Sequence, residues 1–201
     1  MIVGISALIF NIEEAINLCN EIEKINHIEV GIDNLYDCRK LYKYKDRIEE
    51  LNLSIGIHLP LELNTCENIE YIRDSWIDFT NQINNELIDF NIKYFNLHLG
   101  YVISNRLKKN KEKYLDNSIK FLDKLNKELD SKIIIENVYS NNGDFSNVGN
   151  TIYDFEYIFN RNKSDKLWFC YDTGHYLINN DDYINSLKYK TKLIHLSDNY
   201  P

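Results

Sequence analysis

Short apolar, β-branched runs alternate with longer amphipathic stretches along the whole chain. The runs predict strands near residues 2–6, 28–32, 54–58, 94–99, 132–137, 167–172 and 192–197. Most are continuous rather than alternating, as expected of parallel strands covered on both faces. Between them the periodicity predicts helices near 12–25, 35–51, 67–91, 107–130, 151–162 and 181–189. In the third of these, Ile69, Ile72, Trp76, Phe79, Ile83 and Leu87 recur every three or four residues as one apolar stripe, which assigns Trp76 to the core. Leu115, Leu122, Leu125 and Leu129 do the same in the fourth, where Lys108 to Lys113 read as a solvated helix start.

Strict alternation of strands and helices fits either a (β/α) barrel or a doubly wound sheet. The polar residues favour the barrel. His58 and His98 close the third and fourth runs, Glu136 and Asp172 the fifth and sixth, and His195 the seventh, with His175 just beyond the sixth. A barrel gathers strand ends at one mouth. A doubly wound sheet usually opens with a Gly-rich phosphate turn, and no G-x-G-x-x-G or Walker loop follows any run. The expected fold is therefore an α/β, TIM-type barrel occupying residues 1–201 as a single domain. It is expected to be incomplete, with seven parallel strands, no eighth unit before Pro201, and a seam between the first and seventh strands that is either covered or poorly ordered.

Composition narrows the function without choosing it. The 201 residues are 44% hydrophobic and 27% charged, ordinary for a globular domain. A net charge of −8 gives no general attraction for nucleic acid or an anionic membrane. The opening MIVGISALIF has no basic flank or cleavage site and is too short to span a bilayer, so it reads as a buried strand. Cys19, Cys38, Cys66 and Cys170 are dispersed, without a Cys-x-x-Cys pair, and are expected as free buried thiols in a reducing cytoplasm.

Glu136, Asp172 and His195 end neighbouring strands, so their side chains are expected to converge on one divalent ion. Carboxylate and imidazole together suit zinc, manganese, cobalt or iron(II). Simpler roles exist for most of these residues. His58 and His98 could be hydrogen-bonded core histidines, Asp172 a helix N-cap, and Asp198 and Asn199 turn formers. Glu136 resists such a reading, because a carboxylate ending Ile133-Ile134-Ile135 is costly to bury unpaired. His27 begins a strand, far from the mouth, and is assigned no role.

The ordered set of His58, LHLG (97–100), IEN with GDFSNVGNTIYDFEYIF (143–159), YDTGH (171–175) and IHLSDN (194–199) resembles the xylose isomerase-like TIM barrels over essentially the whole chain. That superfamily includes sugar-phosphate isomerases and epimerases and the endonuclease IV group of abasic-site nucleases. The resemblance implies Glu136, Asp172 and His195 as metal ligands, and His58, His98 and His175 as substrate contacts or, in the nucleases, further zinc ligands. It implies proton transfer next to a carbonyl through an enediolate, with Glu136 and His175 as catalytic residues and a small carbohydrate as substrate. A zinc-dependent abasic-site phosphodiesterase is the alternative, and a non-catalytic or split barrel that binds a metal or small molecule is a third. The sequence departs from the family where an eighth-strand glutamate and, for the nucleases, a later Asp-x-His pair would stand. A homo-oligomer or partner segment is expected over the open seam.

Overall fold

The computed structural model describes residues 2–140, 143–175 and 181–197. Seven parallel strands form one sheet: β1 (Val3–Leu8), β2 (Ile25–Gly31), β3 (Ser54–His58), β4 (Ile92–Leu97), β6 (Lys132–Glu136), β8 (Leu167–Asp172) and β9 (Thr191–His195), hydrogen-bonded in that order. The connections carry α1 (Ile12–Glu21), α2 (Leu35–Leu41), α3 (Lys45–Glu50), α4 (Glu70–Glu86), α5 (Ser104–Glu128), α6 (Ile152–Arg161) and α7 (Tyr183–Leu187). The sheet curls strongly, because the imidazole of His195 on its last strand meets the carboxylate of Glu29 on its second, 3.1 Å away. The result is an incomplete α/β barrel of the TIM type, in which β1 and β9 are the sheet's edges among the described residues.

Period-two alternation sorts each strand's side chains. Ile28, Val30, Ile55, Ile57, Phe95, Leu97, Ile133, Ile135 and Phe169 face outward into the main core, where they pack under the helices. The opposite face lines the barrel interior, with a small apolar plug of Tyr94, Ile134 and Cys170 supported by Trp168 and Leu193. Gly56 makes this plug possible, since a Cβ there would collide with the Tyr94 ring. Register then brings the polar residues level: His58 pairs with Gly31 and Asn96, Glu136 with Cys170, and Asp172 with His195.

Several local expectations are corrected. The helix expected over 35–51 is α2 and α3 separated by a 3-10 turn at Tyr42–Tyr44. There Tyr42 turns aside to pack edge-on to Phe90 and donate to Asp89. In α4 the buried line runs through Arg73, Ile77, Thr80 and Ile83, while Ile69 and Ile72 are 56% and 39% exposed. The apolar stripe read from the sequence holds at Trp76, Phe79, Ile83 and Leu87, which pack on the core, and fails at its start, where Arg73 is buried instead and donates to the carbonyl of Glu67. Lys108–Lys113 do not start α5, which begins at Ser104 and departs from helical geometry at Asn110. Two short strands were not anticipated, β5 (Tyr101–Ile103) and β7 (Phe145–Asn147), which pair antiparallel in a separate two-stranded sheet. Asp198 and Asn199 lie outside the described residues.

All four cysteines are free and buried. No helix among the described residues is long and apolar enough to cross a membrane.

Candidate metal centre

Glu136 is the hub of the mouth. It ends β6, is 2% exposed, and is surrounded by imidazoles from four other places in the chain. Its Oε2 lies 3.5 Å from His58 Nε2 and 3.3 Å from His195 Nδ1. Its Oε1 lies 3.5 Å from His98 Nε2 and 3.7 Å from His175 Nδ1. Asp172, ending the next strand, places Oδ2 3.6 Å from the same His195 Nδ1. All six residues expected at the mouth are therefore gathered there.

The spacing suits a cation. Donors held about 2.0–2.2 Å from a tetrahedral ion stand about 3.4 Å apart. The separations of His195 Nδ1 from Glu136 and from Asp172, 3.3 and 3.6 Å, match that edge length. Three overlapping groups built on Glu136 have donor atoms within 4.8 Å of one another: with His58 and His98, with Cys170 and His195, and with Asp172 and His175. His98 Nε2 is buried without a hydrogen-bond partner, as is Asn96 Oδ1. An orphaned imidazole nitrogen aimed at a carboxylate cluster is what a cation would satisfy.

The surrounding hydrogen bonds fix which atoms are free. His58 Nδ1 donates to the carbonyl of Leu59 at 2.8 Å, leaving Nε2 for the mouth. His175 Nδ1 donates to the carbonyl of Asn137 at 2.7 Å, which leaves the lone pair on Nε2. The Asn137 side chain clasps the backbone of Asp172, accepting from its N–H at 2.7 Å and donating to its carbonyl at 3.0 Å. Asp172 also accepts from the backbone N–H of His175 at 2.9 Å. It is thus a turn-capping residue and a mouth residue at once, so the simpler role does not displace the other.

Charge is concentrated here. Burial opposes ionisation of Glu136, but the close imidazoles of His195, His58 and His98 outweigh it and hold the carboxyl well below its ordinary range. Burial likewise opposes protonation of His195, and contacts with Asp172, Cys170, Glu136 and Glu29 reverse the balance, raising its pKa. His58 is raised in the same way, its burial outweighed chiefly by Glu136.

Three residues of the site were missed from the sequence. Asn96 donates to Glu136 Oε2 at 2.6 Å. Glu29 accepts from His195 Nε2 at 3.2 Å. Cys170 is paired in register with Glu136, its thiol pushed well above the ordinary value by burial and then by Glu136. The signal for Glu29 was present, since a carboxylate inside HIEVG is as costly to bury as Glu136 inside IIIEN. Asn96 stands two residues before His98, hence on the same strand face. His27 lies deeper in the barrel, bonded to Ser54 and Tyr94, and takes no part in the mouth.

A family model described as xylose isomerase-like TIM barrel matches residues 25–201. Among similar solved structures is a D-tagatose 3-epimerase-like protein, 20% identical with a TM-score of 0.78, the match covering 99% of this chain and 77% of that one. An L-ribulose 3-epimerase is 17% identical, with a TM-score of 0.78 over 98% of this chain and 70% of its own. A 3-keto-D-glucoside 4-epimerase from E. coli is 16% identical, with a TM-score of 0.74 over 99% and 80%. At such identities the likeness is one of fold. No curated protein matches the sequence significantly.

Proposed function

The chain belongs to the xylose isomerase-like TIM barrel family, and from that premise we propose that it is a metal-dependent sugar or sugar-phosphate isomerase or epimerase. The observation that carries this reading is the approach of His195 Nδ1 to both Glu136 and Asp172, at 3.3 and 3.6 Å. Glu136, Asp172 and His195 would hold the ion. The similar structures named for sugar epimerases support the substrate class.

When bound, a divalent ion supplies Lewis-acid polarisation of a carbonyl and its adjacent hydroxyl, which acidifies the intervening C–H. Glu136 is held ionised by its imidazole neighbours and would serve as the proton acceptor. His175, with Nδ1 committed to Asn137, presents Nε2 to a substrate hydroxyl. His58, with Nδ1 committed to Leu59, presents Nε2 from the opposite side of Glu136. His98 orients a further hydroxyl. Asn96 holds Glu136 in place by donating to the oxygen that faces His195.

Metal content by elemental analysis, together with solvent deuterium exchange at the α-carbon of a panel of ketoses and ketose phosphates, tests this. Stoichiometric metal and exchange into at least one sugar are expected. No bound ion and no exchange would end the reading. Cleavage of a duplex carrying one abasic site, lost on chelation, would replace it with the nuclease alternative.

A further inference from the structure

The barrel interior contains a second buried carboxylate that the proposed chemistry does not use. Glu29 sits on β2, 5% exposed, paired in register with Ser6 on β1 and Gly56 on β3. It lies two residues below Gly31, the level of His58, and so beneath the mouth rather than in it. Its two oxygens approach a single atom, His195 Nε2, at 3.1 and 3.2 Å. The other ring nitrogen, Nδ1, points the opposite way, toward Glu136 and Asp172.

We propose that Glu29 is a positioning residue for His195, fixing the ring so that Nδ1 is the nitrogen offered to the metal. This rests on the metal-centre reading above. An ionised carboxylate only accepts, so the nitrogen facing Glu29 must carry a proton. A neutral imidazole has one N–H, and placing it on Nε2 leaves the lone pair on Nδ1. Rotating the ring by half a turn about Cβ–Cγ would put the carbons Cδ2 and Cε1 where the nitrogens stand and lose the bond to Glu29. The carboxylate therefore selects both tautomer and orientation. Outer partners of this kind set ligand basicity as well as geometry, and their loss costs about 10–100-fold in metal affinity.

Titration of the metal-free protein with cobalt(II), followed by calorimetry, and long-range ¹H–¹⁵N spectra of the histidine rings in the loaded diamagnetic zinc form, test the assignment. In the wild type the ring of His195 should show protonated Nε2 and metal-bound Nδ1. Glu29→Leu, which keeps the volume and removes the acceptor, should weaken cobalt binding by about 10–100-fold and mix the ring signals. Glu29→Gln, whose amide oxygen still accepts, should lose about tenfold or less but more than twofold. It decides the matter if the leucine variant does not fold. Wild-type affinity within twofold in Glu29→Gln, or in a folded Glu29→Leu with unchanged ring signals, would overturn the role of Glu29 alone. A wild type that takes up no cobalt would instead remove the metal-centre reading and this inference with it.

Discussion

His27 and His195 are both largely buried imidazoles inside the same barrel, yet their surroundings differ in kind. At the floor, His27 Nδ1 meets the hydroxyl of Ser54 at 2.8 Å and Nε2 meets the hydroxyl of Tyr94 at 2.9 Å. Both partners are neutral and can donate or accept, so the ring is satisfied without charge. Burial is then the largest influence and lowers its pKa. At the mouth, His195 faces Glu136, Asp172 and Glu29, and the neighbouring His98 Nε2 has no hydrogen-bond partner. The floor is closed chemistry that organises the core. The mouth is open chemistry that a cation would complete. Burial of an imidazole alone distinguishes nothing; the charge and capacity of its partners do.

The largest effect should come from removing the hub. Glu136→Gln should weaken divalent-ion binding by more than about 100-fold, beyond the loss typical of outer partners. Calorimetric titration measures it, and an unchanged affinity would show that the imidazoles are gathered for another reason. The floor should behave in the opposite way. His27→Ala should cost about 1–3 kcal/mol of stability, because the hydroxyls of Ser54 and Tyr94 lose their partner in a buried site. Metal affinity should stay within twofold. Urea denaturation paired with titration tests both halves, and a large loss of affinity without a loss of stability would erase the distinction.

Asn96→Ala should fall between them. It removes the 2.6 Å donation to Glu136 Oε2 and should weaken metal binding by about tenfold, or about 1.4 kcal/mol. The smallest effect concerns pH. Above about pH 6.5 the His27 ring is neutral in folded and unfolded chains alike and contributes no pH dependence. As the pH falls below that value, the unfolded chain takes up the proton first, because burial disfavours it in the fold, and stability declines. Replacing His27 with Gln should flatten the acid limb below about pH 6.5, by no more than the one-proton ceiling of about 1.4 kcal/mol per pH unit. Midpoints of urea unfolding across that range report it, and a parallel shift with no change of slope would contradict the assignment.

The strand–helix alternation and the strand-end residues were readable because a barrel converts a one-dimensional regularity into convergence. Residues that end successive parallel strands must share a rim. His58, His98, Glu136, Asp172 and His195 could therefore be placed together without knowing any distance. Glu29 and Asn96 were overlooked because they sit within their runs, where an apolar environment draws attention away from the single polar member. The stripe of α4 was misread only at its start, because periodicity records which side chains are apolar, whereas Arg73 is buried beside a backbone acceptor. β5 and β7 are three residues each and stabilise one another across more than forty positions, so no local pattern announces them. His27 was left without a role, and its bonding to Ser54 and Tyr94 is a tertiary fact that the chain does not spell out.

The account stands on convergence around one cation, and anomalous diffraction from crystals loaded with manganese or cobalt tests that most directly. It predicts a peak bonded at once by Glu136, Asp172 and the Nδ1 of His195. A peak elsewhere, or one at the mouth that His195 does not touch, would contradict it.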